Sequence, residues 1–106
     1  MEKKTLHFLR ISGHVPENKH REFEQTFKFV FNQLPADCIE HSLSVDVFSH
    51  NNYHFFSLWI SGSSMQAFMS SVEFQLLTGA YFTLGAEENI VHGPIDVQTF
   101  KVSNMN

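Results

Sequence analysis

Histidine is the residue type in this sequence that could support the widest range of chemistry. Seven histidines occur among 106 residues, and imidazole is the usual general base near neutral pH and the commonest transition-metal ligand. His7, His41 and His54 lie in segments rich in apolar residues, where an imidazole would be partly buried. The other four lie in predicted loops or at helix ends, where solvation is the default: His14, His20, His50 and His92.

A general base, or a simply hydrogen-bonded imidazole, is favoured over a metal ligand. We expect strands 1 and 3 to run parallel, which brings His7 and His54 to one end of the sheet, while His41 lies near Ile60. Two ligands are one short of a usual catalytic metal site. We therefore expect no metal, and the candidate catalytic residues are His7, His54 and Arg10.

His7 and Arg10 compete for one role. They lie on opposite faces of the first predicted strand, so only one of them can point into a cavity between the sheet and the helices. We favour His7, because a buried imidazole can act as a base near neutral pH, whereas an inward arginine would need an anionic partner.

Aromatic residues form the second candidate set. The twelve phenylalanines are typical of an aromatic-lined cavity or a large apolar partner surface. Trp59 ends the third predicted strand, and Phe68, Phe74 and Tyr81 follow at helical spacing. Core packing is the commoner role for such residues; walls of a site for a planar aromatic ligand are the alternative.

Several other classes of function are disfavoured. The single cysteine, Cys38, excludes an internal disulfide and a cysteine-based zinc site. A net charge of −4 without clustered cations argues against nucleic-acid binding. No Ser-His-Asp arrangement, phosphate loop or dinucleotide fingerprint is evident, and residues 62–64 are better interpreted as a helix cap than as an anion cradle. No apolar run approaches the roughly 20 residues that span a bilayer, and no signal-peptide core follows the first residues, so we expect a cytoplasmic protein with no membrane contact.

The elements that position these residues follow from hydrophobic periodicity. Residues 5–15 alternate and predict strand 1, and an apolar helical stripe from Phe23 predicts a helix, capped near Asn18, that ends at Leu34 and Pro35. Residues 38–48 predict strand 2 with one solvent-exposed face and one buried face. The residues of the predicted buried face are Ile39, His41, Leu43, Val45 and Val47. Strand 3, at residues 53–61, is apolar on both faces and is expected inside the sheet.

The second half of the chain predicts two short helices and a last strand. Residues 62–64 are expected to cap a helix that begins near Met65, and Ser71 to cap a second helix. Gly85 is expected to close this region. Residues 90–102 return to strand alternation, with an interruption at Gly93 and Pro94.

This β-α-β-β-α-β order predicts a single ferredoxin-like α+β domain over residues 1–106. Its four-stranded antiparallel sheet carries the helices on one face. The other face is left open, and because strands 1 and 3 are apolar on both sides, that face should have a partner. We expect a homodimer joined face to face.

Residues 53–84 resemble a known family. The pattern Tyr53-x-Phe55-x-x-x-Trp59-x-Ser61, followed by Ser71-x-x-Phe74, is similar to the strand-Trp-helix segment of the antibiotic-biosynthesis-monooxygenase family of the dimeric α/β-barrel superfamily. The resemblance implies a dimeric α/β barrel. It also implies cofactor-free oxygenation of a quinol-like or polycyclic phenolic substrate, which supplies its own electrons, with Trp59 near the cavity.

One position departs from that family. Many members carry a histidine on the helix nine or ten residues after the tryptophan, where this chain has Phe68 and Met69. In related haem-degrading enzymes that histidine is the iron ligand and an asparagine on strand 1 completes the site, and this chain has neither. Haem degradation is therefore disfavoured. The departure also keeps open a non-catalytic alternative, a ligand-binding or stress-related protein on the same scaffold.

Overall fold

The computed structural model describes the backbone of residues 2–83 and 88–99 and the side chains of residues 5–80 and 90–96. The described residues form four strands and three helices, with a 3₁₀ turn at Glu17–Lys19 before the first helix. Their bounds are β1 (Glu2–His14), α1 (His20–Phe31), β2 (Cys38–Val45), β3 (Asn52–Trp59), α2 (Gly62–Met69), α3 (Val72–Thr83) and β4 (Glu88–Thr99). No helix in the described part of the chain is long and apolar enough to cross a membrane.

The sheet has the order β2-β3-β1-β4, and all neighbouring strands are antiparallel. This confirms the predicted ferredoxin-like α+β fold. The expected parallel pairing of strands 1 and 3 is wrong, because the crossover through α1 makes β1 parallel to β2, and β3 lies between them. His7 therefore pairs with Trp59 and His54 with Ser12. The two histidines lie toward opposite ends of the sheet, about 17 Å apart along the strands.

The first helix buries the predicted stripe. Phe23, Phe27 and Val30 are completely buried, since residues three and four apart lie on one face of a helix. The helix begins after Lys19 without a side-chain cap, so the cap expected near Asn18 is wrong. It ends at residue 31, a few residues before Pro35, which disfavours helical geometry at the residue before it.

The second strand differs from its prediction. It ends at Val45, and the predicted buried face is largely exposed: Ile39 is 46% and Val47 79% accessible. Two causes account for this: β2 is an edge strand, and a register shift between Cys38 and Glu40 interrupts its alternation. Leu43 packs against the core from the middle of that face.

The third strand confirms its prediction. Tyr53, Phe55 and Trp59 are buried against the helices, and the intervening residues are half-buried on the opposite face. Because β3 has β2 on one side and β1 on the other, its backbone is paired along both edges. These large side chains form the centre of the hydrophobic core.

The next helix is capped one residue before the predicted cap. The Ser61 hydroxyl accepts a hydrogen bond from the backbone N–H of Ser64, so α2 begins at Gly62 rather than near Met65. Gly62 fits here because a Cβ would lie 2.9 Å from the His7 ring. The cap at Ser71 is confirmed, since its hydroxyl accepts from the N–H of residue 74.

The last strand runs from residue 88 to residue 99 without the interruption expected at Gly93 and Pro94. The expected helix end at Gly85 and the predicted last residue of the strand, Val102, lie outside the described residues. The two faces of the completed sheet have different surroundings. We call the face that packs on the helices the covered face, and the other the open face, whose residues on the two central strands are Leu6, Phe8, Arg10, Ser12, His54, Phe56 and Leu58.

Candidate functional site

The aromatic residues expected to wall a pocket form a packed row on the covered face. Trp59 is fully buried, and its indole N–H donates to the Ser57 hydroxyl at 2.9 Å. Its ring centroid lies 5.0 Å from that of Phe68, which in turn lies 5.7 Å from that of Phe74. The side chain of Tyr81 lies outside the described side chains. In this row the indole is completely enclosed by protein atoms.

The three candidate catalytic residues are divided between the two faces. His7 lies on the covered face, half-buried, with its ring against Gly62 at the start of α2. Arg10 and His54 lie on the open face, where Arg10 is opposite Phe56 and His54 is opposite Ser12 in the β1–β3 register. The structure thus brings Arg10 and His54 to the same part of the sheet and separates both from His7.

On the open face, His54 is held by a chain of hydrogen bonds. Its Nδ1 lies 2.8 Å from the Ser12 hydroxyl, and its Nε2 lies 2.8 Å from Asp46 Oδ1. The amide of Asn52 donates to the other carboxylate oxygen of Asp46 at 3.3 Å. The hydrogen bonds from His54 and Asn52 hold the pKa of Asp46 below its usual value of 3.8. The sequence predicts no Ser-His-Asp arrangement, and that expectation is wrong.

Local folding explains how this chain of residues forms. Asp46 and Asn52 flank the β2–β3 turn, where the Asp46 N–H donates to the Asn52 carbonyl at 3.1 Å. His54 is the third residue of β3, so its side chain points to the open face beside Asp46. Ser12 joins them only through the register of β1 with β3. The pairing of Asp46 with His54 could be found from the turn sequence, but Ser12 requires the strand order.

The bonding pattern fixes which nitrogen can act as a base. An ionised carboxylate only accepts hydrogen bonds, so Nε2 of a neutral His54 carries the hydrogen and Nδ1 accepts from the Ser12 hydroxyl. A hollow of about 240 Å³ adjoins the imidazole, lined by Ser12, Gly13, His14, Asn52 and His54. Arg10 is two residues from Ser12 on the same face of β1. A base and a cation therefore lie within reach of one small molecule.

Two further hollows lie at the covered side. One, of about 350 Å³, includes Phe68, Ser64 and Asp37 in its lining, and the Ser64 hydroxyl donates to the Asp37 carboxylate at 2.7 Å. The other, of about 360 Å³, lies between α1 and the edge strand β2; we call it the α1 hollow. Its lining residues are Glu24, Phe27, Lys28, Phe31, Leu43, Val45 and Tyr53.

Two other titratable side chains in the described part of the chain, Cys38 and Tyr53, have raised pKa values. Burial raises the pKa of the half-buried Cys38 thiol, which donates to the Glu40 carbonyl. Burial and the Glu24 carboxylate raise the pKa of the Tyr53 hydroxyl, which donates to Glu24. Among the described residues, no group of three or more histidine, cysteine or acidic side chains is placed to hold a metal ion.

Comparison with known proteins supports the fold. No family model and no curated protein match this sequence. A conserved protein of unknown function from Bacteroides thetaiotaomicron, described as a possible oxidoreductase, aligns over 87% of this chain and 99% of its own, with a TM-score of 0.74 and 14% identity. A candidate antibiotic biosynthesis monooxygenase from Caulobacter crescentus aligns over 84% and 88%, with a TM-score of 0.72 and 16% identity.

A third structure is that of SnoaB, described as a cofactor-independent oxygenase from Streptomyces nogalater. It aligns over 96% of this chain and 99% of its own, with a TM-score of 0.63 and 17% identity. At such identities the likeness shows a common fold and does not establish a common reaction. The chain shares its ferredoxin-like α+β fold with proteins described as antibiotic biosynthesis monooxygenases, which confirms the subunit fold that the sequence resemblance implies.

Proposed function

We propose that this protein is a small oxygenase that acts on a planar phenol or quinol at the open face without a cofactor. The observation that carries the proposal is the position of His54 between Ser12 and Asp46, with Arg10 on the same face. A base whose orientation is fixed by a carboxylate suits the removal of a phenolic proton. The fold shared with SnoaB supports this class of reaction.

The proposed first step is a proton transfer. Nδ1 of His54 accepts the proton of the substrate hydroxyl through the Ser12 hydroxyl, which passes its own proton to the ring and receives the substrate's proton. Asp46 stabilises the imidazolium that results, since its carboxylate accepts from Nε2 at 2.8 Å. The Arg10 guanidinium stabilises the phenolate, because a cation beside a developing anion lowers its free energy.

The proposed second step is oxidation by dioxygen. The phenolate gives its electrons to O₂ and a bond forms between a ring carbon and oxygen. The resulting peroxide takes back the proton that His54 holds, and the hydroperoxide then loses hydroxide and the ring hydrogen as water. One phenol and one O₂ thus give one quinone and one water. The substrate supplies all four electrons, so the protein only has to bind, deprotonate and shield it from solvent.

A second copy of the chain is proposed to complete the site. Phe8, Phe56 and Leu58 are half-buried on the open face, and Ile95 of β4 is 42% exposed beside them. Joining two such faces would remove apolar surface from water and exclude solvent from a bound substrate. A stable dimer of this kind buries more than roughly 1,200 Å² in total.

A non-catalytic ligand-binding protein is the second candidate. Phe68 and Met69 favour it, because they stand where many members of the family carry a histidine. In that case the open face binds the same planar molecule without turnover.

Oxygen uptake with an anthrone or a naphthohydroquinone as substrate distinguishes the two candidates. We expect turnover above the spontaneous rate, lowered by roughly 100-fold or more in His54→Gln. The matched control is His50→Gln in the exposed β2–β3 turn, which should keep the wild-type rate. Binding of the phenol without oxygen uptake in the wild-type protein would establish the second candidate and overturn the first.

A further inference from the structure

The α1 hollow is separate from the proposed catalytic face, and its lining combines apolar side chains with one carboxylate and one ammonium. It lies on the covered side of the edge strand β2, whereas His54 and Arg10 lie on the open face. Its volume of about 360 Å³ falls within the range of small-ligand pockets, roughly 300–1,000 Å³. Its apolar lining comes from Phe27, Phe31 and Leu43.

Two opposite charges border this apolar surface. Glu24 and Lys28 are four residues apart on α1, which places their Cβ atoms about 5–6 Å from each other. Within the described part of the chain, no ion pair joins Glu24 to Lys28. Both side chains are exposed and both line the hollow. A carboxylate and an ammonium are therefore presented side by side at the edge of an apolar cavity.

A buried hydroxyl fixes the carboxylate in place. The Tyr53 hydroxyl donates to Glu24 Oε2, and the Tyr53 ring is itself buried in the core. Because Oε2 is engaged, Oε1 is the oxygen that can face a ligand. A carboxylate oriented by the protein loses less conformational entropy on binding a cation than a freely rotating one.

We propose that the α1 hollow binds a free hydrophobic α-amino acid. Its ammonium pairs with Glu24, its carboxylate pairs with Lys28, and its side chain packs on Phe27 and Phe31. The Cβ atoms of Glu24 and Lys28 lie about 5–6 Å apart, so one α-amino acid placed between the two side chains can reach both charges with its ammonium and its carboxylate. An amphipathic amine offers no negative charge to Lys28, and an apolar acid offers no positive charge to Glu24. Both are therefore expected to bind less tightly.

The test is a titration of the ¹⁵N-labelled full chain with L-phenylalanine, followed by amide chemical shifts. We expect saturable shifts at α1 and β2 with a roughly millimolar Kd, as exposed ion pairs over a partly enclosed apolar surface allow. Phenethylamine and 3-phenylpropionate, which each lack one charge, should bind at least tenfold more weakly.

Three variants locate the binding. Glu24→Gln keeps an acceptor for Tyr53 but removes the negative charge, and Lys28→Met removes the positive charge; each should weaken phenylalanine binding at least tenfold. Glu22→Gln is the matched control, because Glu22 lies on the same helix beside Lys19, outside the hollow. Equal binding of either single-charge analogue, unchanged binding by both charge variants, or no saturable shift up to about 20 mM phenylalanine would overturn the proposal.

Discussion

The two faces of the sheet are built from the same strands but differ in the burial and polarity of their side chains. On the covered face, Leu9, Ile11, Tyr53, Phe55 and Trp59 are all buried at 1% exposure or less. On the open face the same two strands present seven side chains, of which Leu6 alone is buried, and three of the seven are polar: Arg10, Ser12 and His54. The covered face supplies most of the hydrophobic core, and the open face carries the hydrogen-bonded group of Ser12, His54 and Asp46.

This difference between the two faces changes the role that each aromatic residue is assigned. Trp59 is the residue that the family resemblance places near a cavity, yet its indole is sealed by Phe68 and hydrogen-bonded to Ser57. Phe8 and Phe56 have weaker sequence signals, but they lie half-buried beside Arg10. The aromatic residues of β3 on the covered face are buried in the core, whereas Phe8 and Phe56 on the open face keep part of their surface exposed.

The largest expected effect separates the two faces by stability. Trp59→Ala should lower the free energy of unfolding by about 3–5 kcal/mol, because it leaves a large cavity in the core. Phe56→Ala, on the neighbouring open face, should cost about 1–2 kcal/mol, since its ring is only half-buried. Urea denaturation of both variants measures the contrast. Equal losses would show that the faces do not differ in the way described.

The sequence predicts well which face of the sheet each side chain lies on. It predicts poorly which strands lie next to each other. The alternation of Tyr53, Phe55 and Trp59 correctly places them in the core, and it correctly puts His7 and Arg10 on opposite faces. Periodicity, however, is a property of one segment. It does not reveal that β2 is an edge strand, and so it overestimates the burial of Ile39, which is 46% exposed.

The hydrogen-bonded group of Ser12, His54 and Asp46 was only partly predictable for the same reason. His54 is a candidate from its residue type, and Asp46 lies across a short turn from it. Ser12 is 42 residues away in sequence from His54 and becomes its partner only through the antiparallel register of β1 and β3. The chemistry of this group therefore depends on strand order, which local patterns do not encode.

The effect of pH on stability should report the Asp46 hydrogen bonds. Because the pKa of Asp46 is lower in the folded protein than its usual 3.8, folding favours the carboxylate. Its contribution to stability is present above about pH 4 and is lost as the pH falls through the folded pKa. The difference in unfolding free energy between wild type and Asp46→Asn should thus shrink from pH 7 to about pH 3. A difference independent of pH would mean that His54 and Asn52 do not stabilise the ionised form.

The smallest expected effect on stability lies at Gly93. It pairs with Phe8 on the open face, and a Cβ there would meet no atom within 4 Å. Gly93→Val should leave the fold as stable as wild type or more stable, by up to about 1 kcal/mol, because glycine weakens a strand interior. It should nevertheless weaken dimerisation or phenol binding, measured by light scattering and fluorescence titration.

The control for this substitution is in α3. Gly79 also has open space where a Cβ would lie, and Gly79→Ala should stabilise the helix by up to about 1 kcal/mol. It should leave dimerisation and phenol binding unchanged. If both variants behave alike in binding, the open face is not the face that meets a ligand or a second copy.

The most direct measurement of the central claim uses His7 and His54 as reporters of the two faces. His7 faces α2 on the covered side and His54 faces the open side, so their imidazole NMR signals distinguish a ligand on either face. On titration with a planar phenol, we expect the His54 ring signals to shift in a saturable way while those of His7 stay constant. Saturable shifts of His7 with an unperturbed His54 would contradict the account and place the ligand among the helices.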